Sequence, residues 1–438
     1  MSGQSPDETL DQAFGLPEVL VAVSISRLSC KRAGKTRTLM PIRHSSGESR
    51  FSCVELSGER YFSIGRHRMN TSWLLMAAGL IIGCCNVVLA QTPLVADLEP
   101  VRKLHVESSL TDDDGEVATD ISGMACMPSV SATRSCLVIN DQDRSAQFVT
   151  IEGDRVIGGP RLPLIEKQPP DAIIGQEPRE VDCSGGKAKF KDLDGEGVAF
   201  AESYYYVAGS HGCSRNKDKF RLSSFILARV RVNPQGRVVN RDGAQIERSR
   251  PVEQYVETTY RLAEVLRTAP QVGSFFGRDL NEEKGLNVEG IAVFDGRVFA
   301  GLRAPVLKGT AFLVSVSVSD LFSRDQSPPR PAVRVIPMRL GKKAGIRDLA
   351  SLGEGRFLVL TGPAQEQKKV PYGLFLIDIA SPGSPKFLAT LRPVKQDGTR
   401  GKAEGIVVLH SAADALRVIV LFDSLPNGGP REYRVPLQ

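Results

Sequence analysis

The stretch "GLNVEGIAVFDGRVFAGLRAP", residues 285–305, carries the pattern that decides the fold. Two runs rich in Val, Ile, Ala and Phe are separated by Asp-Gly, and Glu289 and Gly290 open the first run. Short β-branched or aromatic runs bounded by Gly, Asp and Pro are typical of antiparallel strands. The stretch therefore predicts a β-hairpin whose first strand begins with an acid and a glycine.

Weaker copies of this hairpin recur along the chain. They begin with "DISGMACMP" at Asp120, "DGEGVAFAE" at Asp194, "GIRDLASLG" at Gly345 and "KAEGIVVLH" at Lys402. Strand units repeated in this way predict an all-β, β-propeller-like fold of five or six blades. We expect the run "RKLHVESS", residues 102–109, to supply the missing fourth strand of the last blade and to close the ring. One short helical insertion is predicted over 252–267, where apolar residues recur at helical spacing.

The segment "SWLLMAAGLIIGCCNVVLAQTP", residues 72–93, is the clearest targeting signal. Its apolar core ends in Val-Leu-Ala, so we predict a signal peptide over 69–90, cleavage after Ala90, and a bacterial protein located in the periplasm or outside the cell. An uncleaved membrane anchor and a lipoprotein attached through Cys84 are the alternatives. Met69 is an alternative translation start, in which case residues 1–68 are not translated. Otherwise they form a disordered extension, and the β-propeller-like domain occupies 91–438.

Charge and cysteine content restrict the partners and the compartment. The formal net charge of +6 is spread over the 438 residues without a long basic block, so nucleic acid is not predicted as a partner. A membrane is expected only through an uncleaved or lipidated leader. An even number of cysteines in an exported domain favours two disulfides, Cys126–Cys136 and Cys183–Cys213. Four buried free thiols are the alternative.

The start of each hairpin predicts where a site would lie. In a propeller the first strand of each blade lines the central channel, and a glycine there allows close approach of neighbouring backbones. The glycine position holds Gly123, Gly197, Gly290, Asp348 and Gly405. The residue before it, which we expect at the channel mouth, is in turn Ser122, Glu196, Glu289, Arg347 and Glu404. Antiparallel second strands return to the same face and end at Asn140-Asp141, Ser210-His211, Arg303, Thr361 and Asp423.

Several of these motifs resemble a known bacterial family. The stretches "EGVAFAESYYYVAGSHG", "GLNVEGIAVFDGRVFAGLRAP", "AGIRDLASLGEGRFLVLTGP" and "KAEGIVVL" are similar to the domain of unknown function family 3616 (DUF3616), over roughly Ser122 to Asp423. The resemblance implies a propeller-like fold and export, and it implies no established activity. Ala304 stands where the family pattern has glycine. A more distant likeness is to the phytase-like esterase propeller domain, whose strands also open with Glu-Gly.

Three functions are compatible with this polar ring. The first is a metal-assisted hydrolase of an ester or phosphoester. It would hold a divalent cation such as calcium on three acids that are also candidate catalytic groups, Glu196, Glu289 and Glu404. His211 is a further catalytic candidate, and an ordinary hydrogen-bonded loop histidine is the alternative.

The ligand would contact Arg303, Arg347, Asn287, Asp141 and Asp423. The second function is a non-enzymatic propeller that binds an unidentified small molecule or protein on the same face. In the third, the ring is purely structural, with the glutamates bonded to backbone amides and to Arg347.

Overall fold

The structure is a computed structural model that describes residues 29–32, 35–38, 97–170, 172–179, 190–213, 220–246, 250–325 and 331–437. The chain divides into two compact units, residues 1–90 and 91–438. In the first unit, strands β1 (Ser29–Arg32) and β2 (Lys35–Thr38) form an antiparallel pair. The predicted leader at 69–90 lies outside the described residues, as do Cys84 and Cys183. None of the described helices is long and apolar enough to cross a membrane.

The second unit consists of five sheets, or blades, preceded by three short strands. The short strands are β3 (Asp97–Leu98), β4 (Arg102–Lys103) and β5 (His105–Ser108). Blade one contains β6 (Ile121–Cys126), β7 (Thr133–Asn140), β8 (Ser145–Glu152) and β9 (Arg155–Pro163). Blade two contains β10 (Gly195–Ala201), β11 (Tyr204–Gly209), β12 (Leu227–Arg231) and β13 (Val256–Thr259). Blade three contains β14 (Asn287–Phe294), β15 (Arg297–Ala304), β16 (Thr310–Ser317) and β17 (Arg334–Arg339).

The remaining strands complete the ring. Blade four contains β18 (Ala344–Gly353), β19 (Arg356–Pro363), β20 (Gly373–Asp378) and β21 (Lys386–Leu391). A small hairpin of β22 (Lys395–Gln396) and β23 (Thr399–Arg400) leads to blade five, which contains β24 (Lys402–Ser411), β25 (Ala415–Asp423) and β26 (Arg431–Pro436). The first strands of successive blades lie side by side, and β24 lies against β6. The chain therefore folds as a five-bladed β-propeller, which confirms the predicted fold class.

The N-terminal segment closes the ring, although it does so differently from the prediction. Only Arg102–Lys103 pairs with β26 as the fourth strand of blade five. The following residues leave that sheet, and β5 pairs in parallel with β9 at the outer edge of blade one. Strand β3 pairs in parallel with β21 of blade four. One short segment thus covers the outer edges of three successive blades.

The predicted helix over 252–267 is wrong in its first half. Residues Val252–Gln254 form a single 3-10 turn, β13 follows, and helix α1 (Arg261–Thr268) begins only after it. The apolar spacing suits a helix, but the β-branched residues of β13 pair with β12 and complete blade two. A second helix, α2 (Val318–Phe322), was not predicted. The hydroxyl of Ser317 caps it by accepting a hydrogen bond from the N–H of Asp320.

The blades pack on one another through apolar side chains. Between blades three and four, for example, the rings of Phe299 and Phe357 lie 4.9 Å apart and both are buried. Blade one carries the predicted Cys126–Cys136 disulfide, which joins β6 to β7. The predicted bond between Cys183 and Cys213 stays a prediction, because Cys183 lies outside the described residues. This packing fixes the ends of the five inner strands around one axis.

Candidate functional site at the channel mouth

Each inner strand departs from regular pairing at the same place. In blade three, Val288 faces Leu302 and Gly290 faces Gly301, so the residue between Val288 and Gly290 is left without a partner across the hairpin. Blades one, two, four and five show the same step immediately before the glycine position. A β-bulge of this kind turns a side chain away from the regular alternation of the strand. The five bulged residues are Ser122, Glu196, Glu289, Arg347 and Glu404.

The residue after the bulge packs on the next blade. A Cβ atom built on Gly290 would lie 2.5 Å from the Cα of Asp348, and one built on Gly197 would lie 2.7 Å from the backbone nitrogen of Ile291. Such distances exclude a side chain unless the backbone shifts. The glycines thus allow the close approach of neighbouring inner strands that the sequence predicts.

Asp348 takes the glycine position in blade four and makes a different connection. One carboxylate oxygen accepts the N–H of Leu349 at 2.8 Å, and the other accepts the N–H of Ile406 in blade five at 2.7 Å. Burial raises the pKa of Asp348 well above its usual value, and the two backbone hydrogen bonds oppose that rise. A side-chain hydrogen bond therefore joins blades four and five where a glycine contact joins other blades.

Three carboxylates meet on the axis. Glu196, Glu289 and Glu404 are buried, with 5%, 1% and 5% exposure, and one oxygen from each lies within 4.8 Å of the others. Beyond them, a cavity of about 290 Å³ is lined by residues from all five inner strands. Like charges so close together in a buried place repel one another and require compensation.

Two buried arginines supply part of that compensation. Arg303, at the end of β15, places Nη1 at 2.7 Å from a carboxylate oxygen of Glu289 and donates from Nε to the carbonyl of Ala364 at 3.2 Å. Arg347 contacts Glu404 and lies 3.3 Å from the second oxygen of Glu289. Burial, followed by the nearby Arg303, lowers the pKa of Arg347. Its Nε has no hydrogen-bond partner among the described residues.

The ring can be compared with a calcium site by its donor atoms. Two guanidinium groups face three carboxylates in a buried place. Calcium binds oxygens at about 2.3–2.6 Å, so two oxygens on one ion are at most about 5 Å apart. The spacing of the three glutamates fits that limit. Carboxylate oxygens are also the ligands that calcium prefers, so the donor set suits this ion.

His211 is placed differently from the glutamates. It is fully buried at the end of blade two's second strand, Nδ1 lies 2.8 Å from the carbonyl oxygen of Gly209, and the ring packs edge-on against Phe225. Burial lowers the pKa of His211 to about 4. Its Nε2 has no hydrogen-bond partner in the part of the chain that the structure describes. The histidine is therefore neutral at pH 7.

The other predicted ligand contacts lie at the ends of the same strands. Asn287 is buried at the start of β14, beside Gly212, and its side-chain oxygen has no described hydrogen-bond partner. Asp423 is buried and pairs with Lys402 at 2.5 Å, and Thr361 donates to the carbonyl of Gly373. Asp141 lies at the end of β7, where its N–H donates to Asp120. Of these predicted residues, Arg303 contacts a glutamate of the ring. The described contacts of Asp423 and Thr361 are instead with Lys402 and Gly373.

These features define the class of the protein, which is a five-bladed β-propeller with acids and arginines at one end of its channel. A family model described as "Protein of unknown function (DUF3616)" matches residues 181–432, more than half of the 438 residues. The chain belongs to this family. The match begins after blade one, later than the motifs suggested, and it includes all three glutamates and both arginines of the ring.

Solved structures with similar folds are remote in sequence. A Bacteroides ovatus protein described as Xyloglucan PUL GH43B is 9% identical, with 74% of this chain and 53% of that chain covered and a TM-score of 0.37. This chain thus spans about half the length of that protein. The α-L-arabinofuranosidase of Podospora anserina is 11% identical, with 78% and 96% covered and a TM-score of 0.37. The α-L-arabinanase of Cellvibrio cellulosa is 12% identical, with 73% of this chain and 93% of that chain covered and a TM-score of 0.34. No curated protein matches the chain significantly.

Proposed function

We propose that the protein is an exported propeller whose channel mouth binds a divalent cation such as calcium through Glu196, Glu289 and Glu404. The observation that carries this proposal is the convergence of one oxygen from each of these buried carboxylates within 4.8 Å. A divalent cation bound there would add two positive charges beside those of Arg303 and Arg347. Such a site favours an anionic small molecule as its ligand.

The arginines support an anionic ligand. A guanidinium presents parallel N–H groups that match a carboxylate or a phosphate, and Arg303 and Arg347 both lie against the proposed cation ligands. Arg347 has a second effect, because it contacts two of the three carboxylates. Arg347 and the cation would therefore compete for Glu289 and Glu404.

This competition gives a test that separates a cation site from a purely structural ring. Calcium binding would be measured by titration calorimetry after removal of metals with EDTA. We expect the Glu289→Gln variant to bind calcium about tenfold more weakly, and the Arg347→Met variant to bind it about tenfold more tightly. The Glu432→Gln variant is the matched control, because Glu432 is a buried acid paired with Arg102 and Arg417 in blade five, and it should leave calcium affinity unchanged.

The stability of the same variants completes the test. If Arg347→Met unfolds without calcium, a rise in its melting temperature on adding calcium would still report binding to the folded state. If neither the wild type nor Arg347→Met binds calcium, and all ring variants are destabilised, the ring is structural and the proposal is wrong.

Hydrolysis of an ester or phosphoester is the second candidate. The observation that favours it is the pairing of carboxylates suited to a metal with two arginines suited to an anionic substrate. A bound cation would polarise the ester or phosphoryl oxygen and lower the pKa of a water. The described side-chain contacts of His211 are with Gly209 and Phe225 and not with the ring of acids and arginines. A glutamate of that ring is therefore the candidate base.

Model substrates test this candidate. Nitrophenyl acetate and bis-nitrophenyl phosphate would be assayed with calcium and with EDTA. Turnover that requires calcium and is lost in Glu289→Gln supports the hydrolase. Calcium binding without turnover of either ester leaves a ligand-binding propeller.

Export is a separate part of the proposal. It rests on the apolar segment that ends at Val88-Leu89-Ala90. N-terminal sequencing of protein recovered from the periplasm or the medium should give Gln91. A chain that still begins at Met1, or a lipid on Cys84, would contradict cleavage at this position.

A further inference from the structure

A basic groove lies between blades three and four, on the face where the inner strands begin. It has a volume of about 670 Å³ and is formed by the β15–β16 loop, the β17–β18 connection and the β19–β20 loop, together with the segment before β14. Its lining includes five basic residues, Lys284, Lys308, Arg339, Lys342 and Lys343. No acidic side chain lines it among the described residues.

The backbone of this groove is preformed. The N–H of Gly341 donates to the carbonyl of Gly309 at 3.3 Å, and the N–H of Ala364 donates to the carbonyl of Lys343 at 3.0 Å. These hydrogen bonds connect the three loops to one another. The carbonyl of Ala364 also accepts the Nε of Arg303, so the groove and the channel mouth share one wall.

The basic side chains of the groove have no acidic partner in the part of the chain that the structure describes. All five basic side chains are exposed, and none of them takes part in the ion pairs of the described residues. Other surface arginines of the propeller do have acidic partners, such as Arg229 with Glu257 and Arg417 with Glu432. Several uncompensated charges of one sign around a concave surface attract ions of the opposite sign.

Two of the lysines occupy unusual backbone positions. Lys308 and Lys343 have φ values of 52° and 63°, in the left-handed region that favours glycine. A residue with a side chain is less favourable than glycine at such a position. Both lysines project from turns that line the groove, and their side chains are exposed rather than packed. Lys308 and Lys343 therefore contribute charge to the groove and little packing.

We propose that this groove binds a small polyanion carrying two or more phosphate, sulfate or carboxylate groups. Its volume is in the range of about 300–1,000 Å³ that is typical of small-molecule sites. Lysine ammonium groups are point charges on flexible stems. They therefore suit a ligand with several separated anionic groups better than a ligand with a single planar carboxylate. The groove contains none of the proposed cation ligands, so we expect it to bind the polyanion without calcium at the channel mouth.

Titration calorimetry of the purified protein with two probes tests the proposal. Inorganic tripolyphosphate represents phosphate ligands, and trigalacturonate represents carboxylate ligands. Both would be titrated in EDTA at low salt, since salt screens exposed charges. We expect at least one probe to bind with a stoichiometry near one, and the stronger probe identifies the class of anion.

Matched variants locate the binding. The double variant Lys308→Gln with Lys343→Gln removes two charges but still places long polar side chains at the two left-handed backbone positions. It should weaken binding at least about tenfold. Lys308→Arg with Lys343→Arg should bind within about threefold of the wild type, because the charges remain. The control is Lys395→Gln with Arg400→Gln, which removes two exposed charges from the β22–β23 hairpin on the same face.

Three results would overturn the proposal. The first is that neither probe binds to the wild type. The second is that the control variant weakens binding as much as the groove variant, which would indicate general attraction to a basic face. The third is binding that appears only when calcium replaces EDTA, which would assign the anion to the channel mouth.

Discussion

At the scale of single residues, His211 shows how burial removes a charge. Its ring has no exposure, and burial lowers its pKa to about 4. In the unfolded chain a histidine titrates near pH 6.5. Between these two values the unfolded state binds more protons than the folded state. The contribution of neutral His211 to stability is therefore present at pH 7 and is lost as the pH falls from about 6.5 towards 4.

The His211→Asn variant tests this linkage. Asparagine accepts the left-handed backbone at this position, where φ is 51°, and it does not titrate. Between pH 7 and pH 4.5 we expect the free energy of unfolding of the wild type to fall by about 2–3 kcal/mol more than that of the variant. Urea denaturation at both pH values measures the difference. His410→Asn, a substitution at an exposed histidine of β24, is the control and should behave as the wild type does. Equal pH dependence in all three proteins would contradict a buried neutral His211.

Blade four contains two adjacent exceptions to the repeat, and they act on different neighbours. Arg347 stands where three other blades have glutamate, and it contacts the glutamates of blades three and five. Asp348 stands where other blades have glycine, and it bonds the backbone of blade five. The first substitution reduces the repulsion of the carboxylates, and the second replaces a contact that glycine would otherwise make.

At the scale of the elements, the spacing of the inner strands depends on how tightly each glycine is enclosed. A Cβ on Gly290 would meet the Cα of Asp348 at 2.5 Å, whereas one on Gly123 would meet its nearest atom, the nitrogen of Val198, at 3.3 Å. We expect Gly290→Ala to lower the free energy of unfolding by roughly 3 kcal/mol and Gly123→Ala by roughly 1 kcal/mol. Chemical denaturation of both variants measures these values. Equal costs, or a larger cost for Gly123→Ala, would mean that backbone crowding does not set the spacing.

The sequence predicts the inner strands well because their signal is local. The glycine position, the residue before it and the return of the second strand are all contained within one hairpin, so Glu196, Glu289 and Glu404 are identified from spacing alone. Pairing "IRDLA" with "VEGIA" also assigns Arg347 and Asp348 to their positions. The hydrogen bond from Ile406 to Asp348 could not be predicted, because it depends on a neighbouring blade.

Features that depend on distant contacts are the ones that sequence reasoning missed. Residues 252–259 fit a helical pattern, and only their pairing with β12 makes part of them a strand. The groove lysines lie on separate loops, so "LGKKAG" near Lys342 and Lys343 does not by itself indicate a pocket with Lys308. The division of residues 102–108 between two blades likewise depends on which edges are exposed once the ring has formed.

At the scale of the whole molecule, a ring of blades must join its last blade to its first. Here the join is made by the short segment before blade one, which pairs with β26 through β4 and with β9 through β5. Leu104 lies between these two strands and belongs to an apolar cluster with Ile121 of blade one and Ile419 of blade five. Its side chain therefore packs at the place where the two ends of the ring meet.

This position leads to a prediction about closure. Leu104 has 1% exposure, whereas Val101 in the same segment has 65%. We expect Leu104→Ala to lower the free energy of unfolding by about 2–5 kcal/mol, because it removes buried methyl groups and leaves a cavity between blades one and five. Val101→Ala should change it by less than about 0.5 kcal/mol, since its backbone N–H still bonds to Glu432. Denaturation of the two variants, with hydrogen exchange of β9 and β26 as a local probe, measures both effects. If Leu104→Ala is as harmless as Val101→Ala, the segment is an accessory to a ring that closes without it.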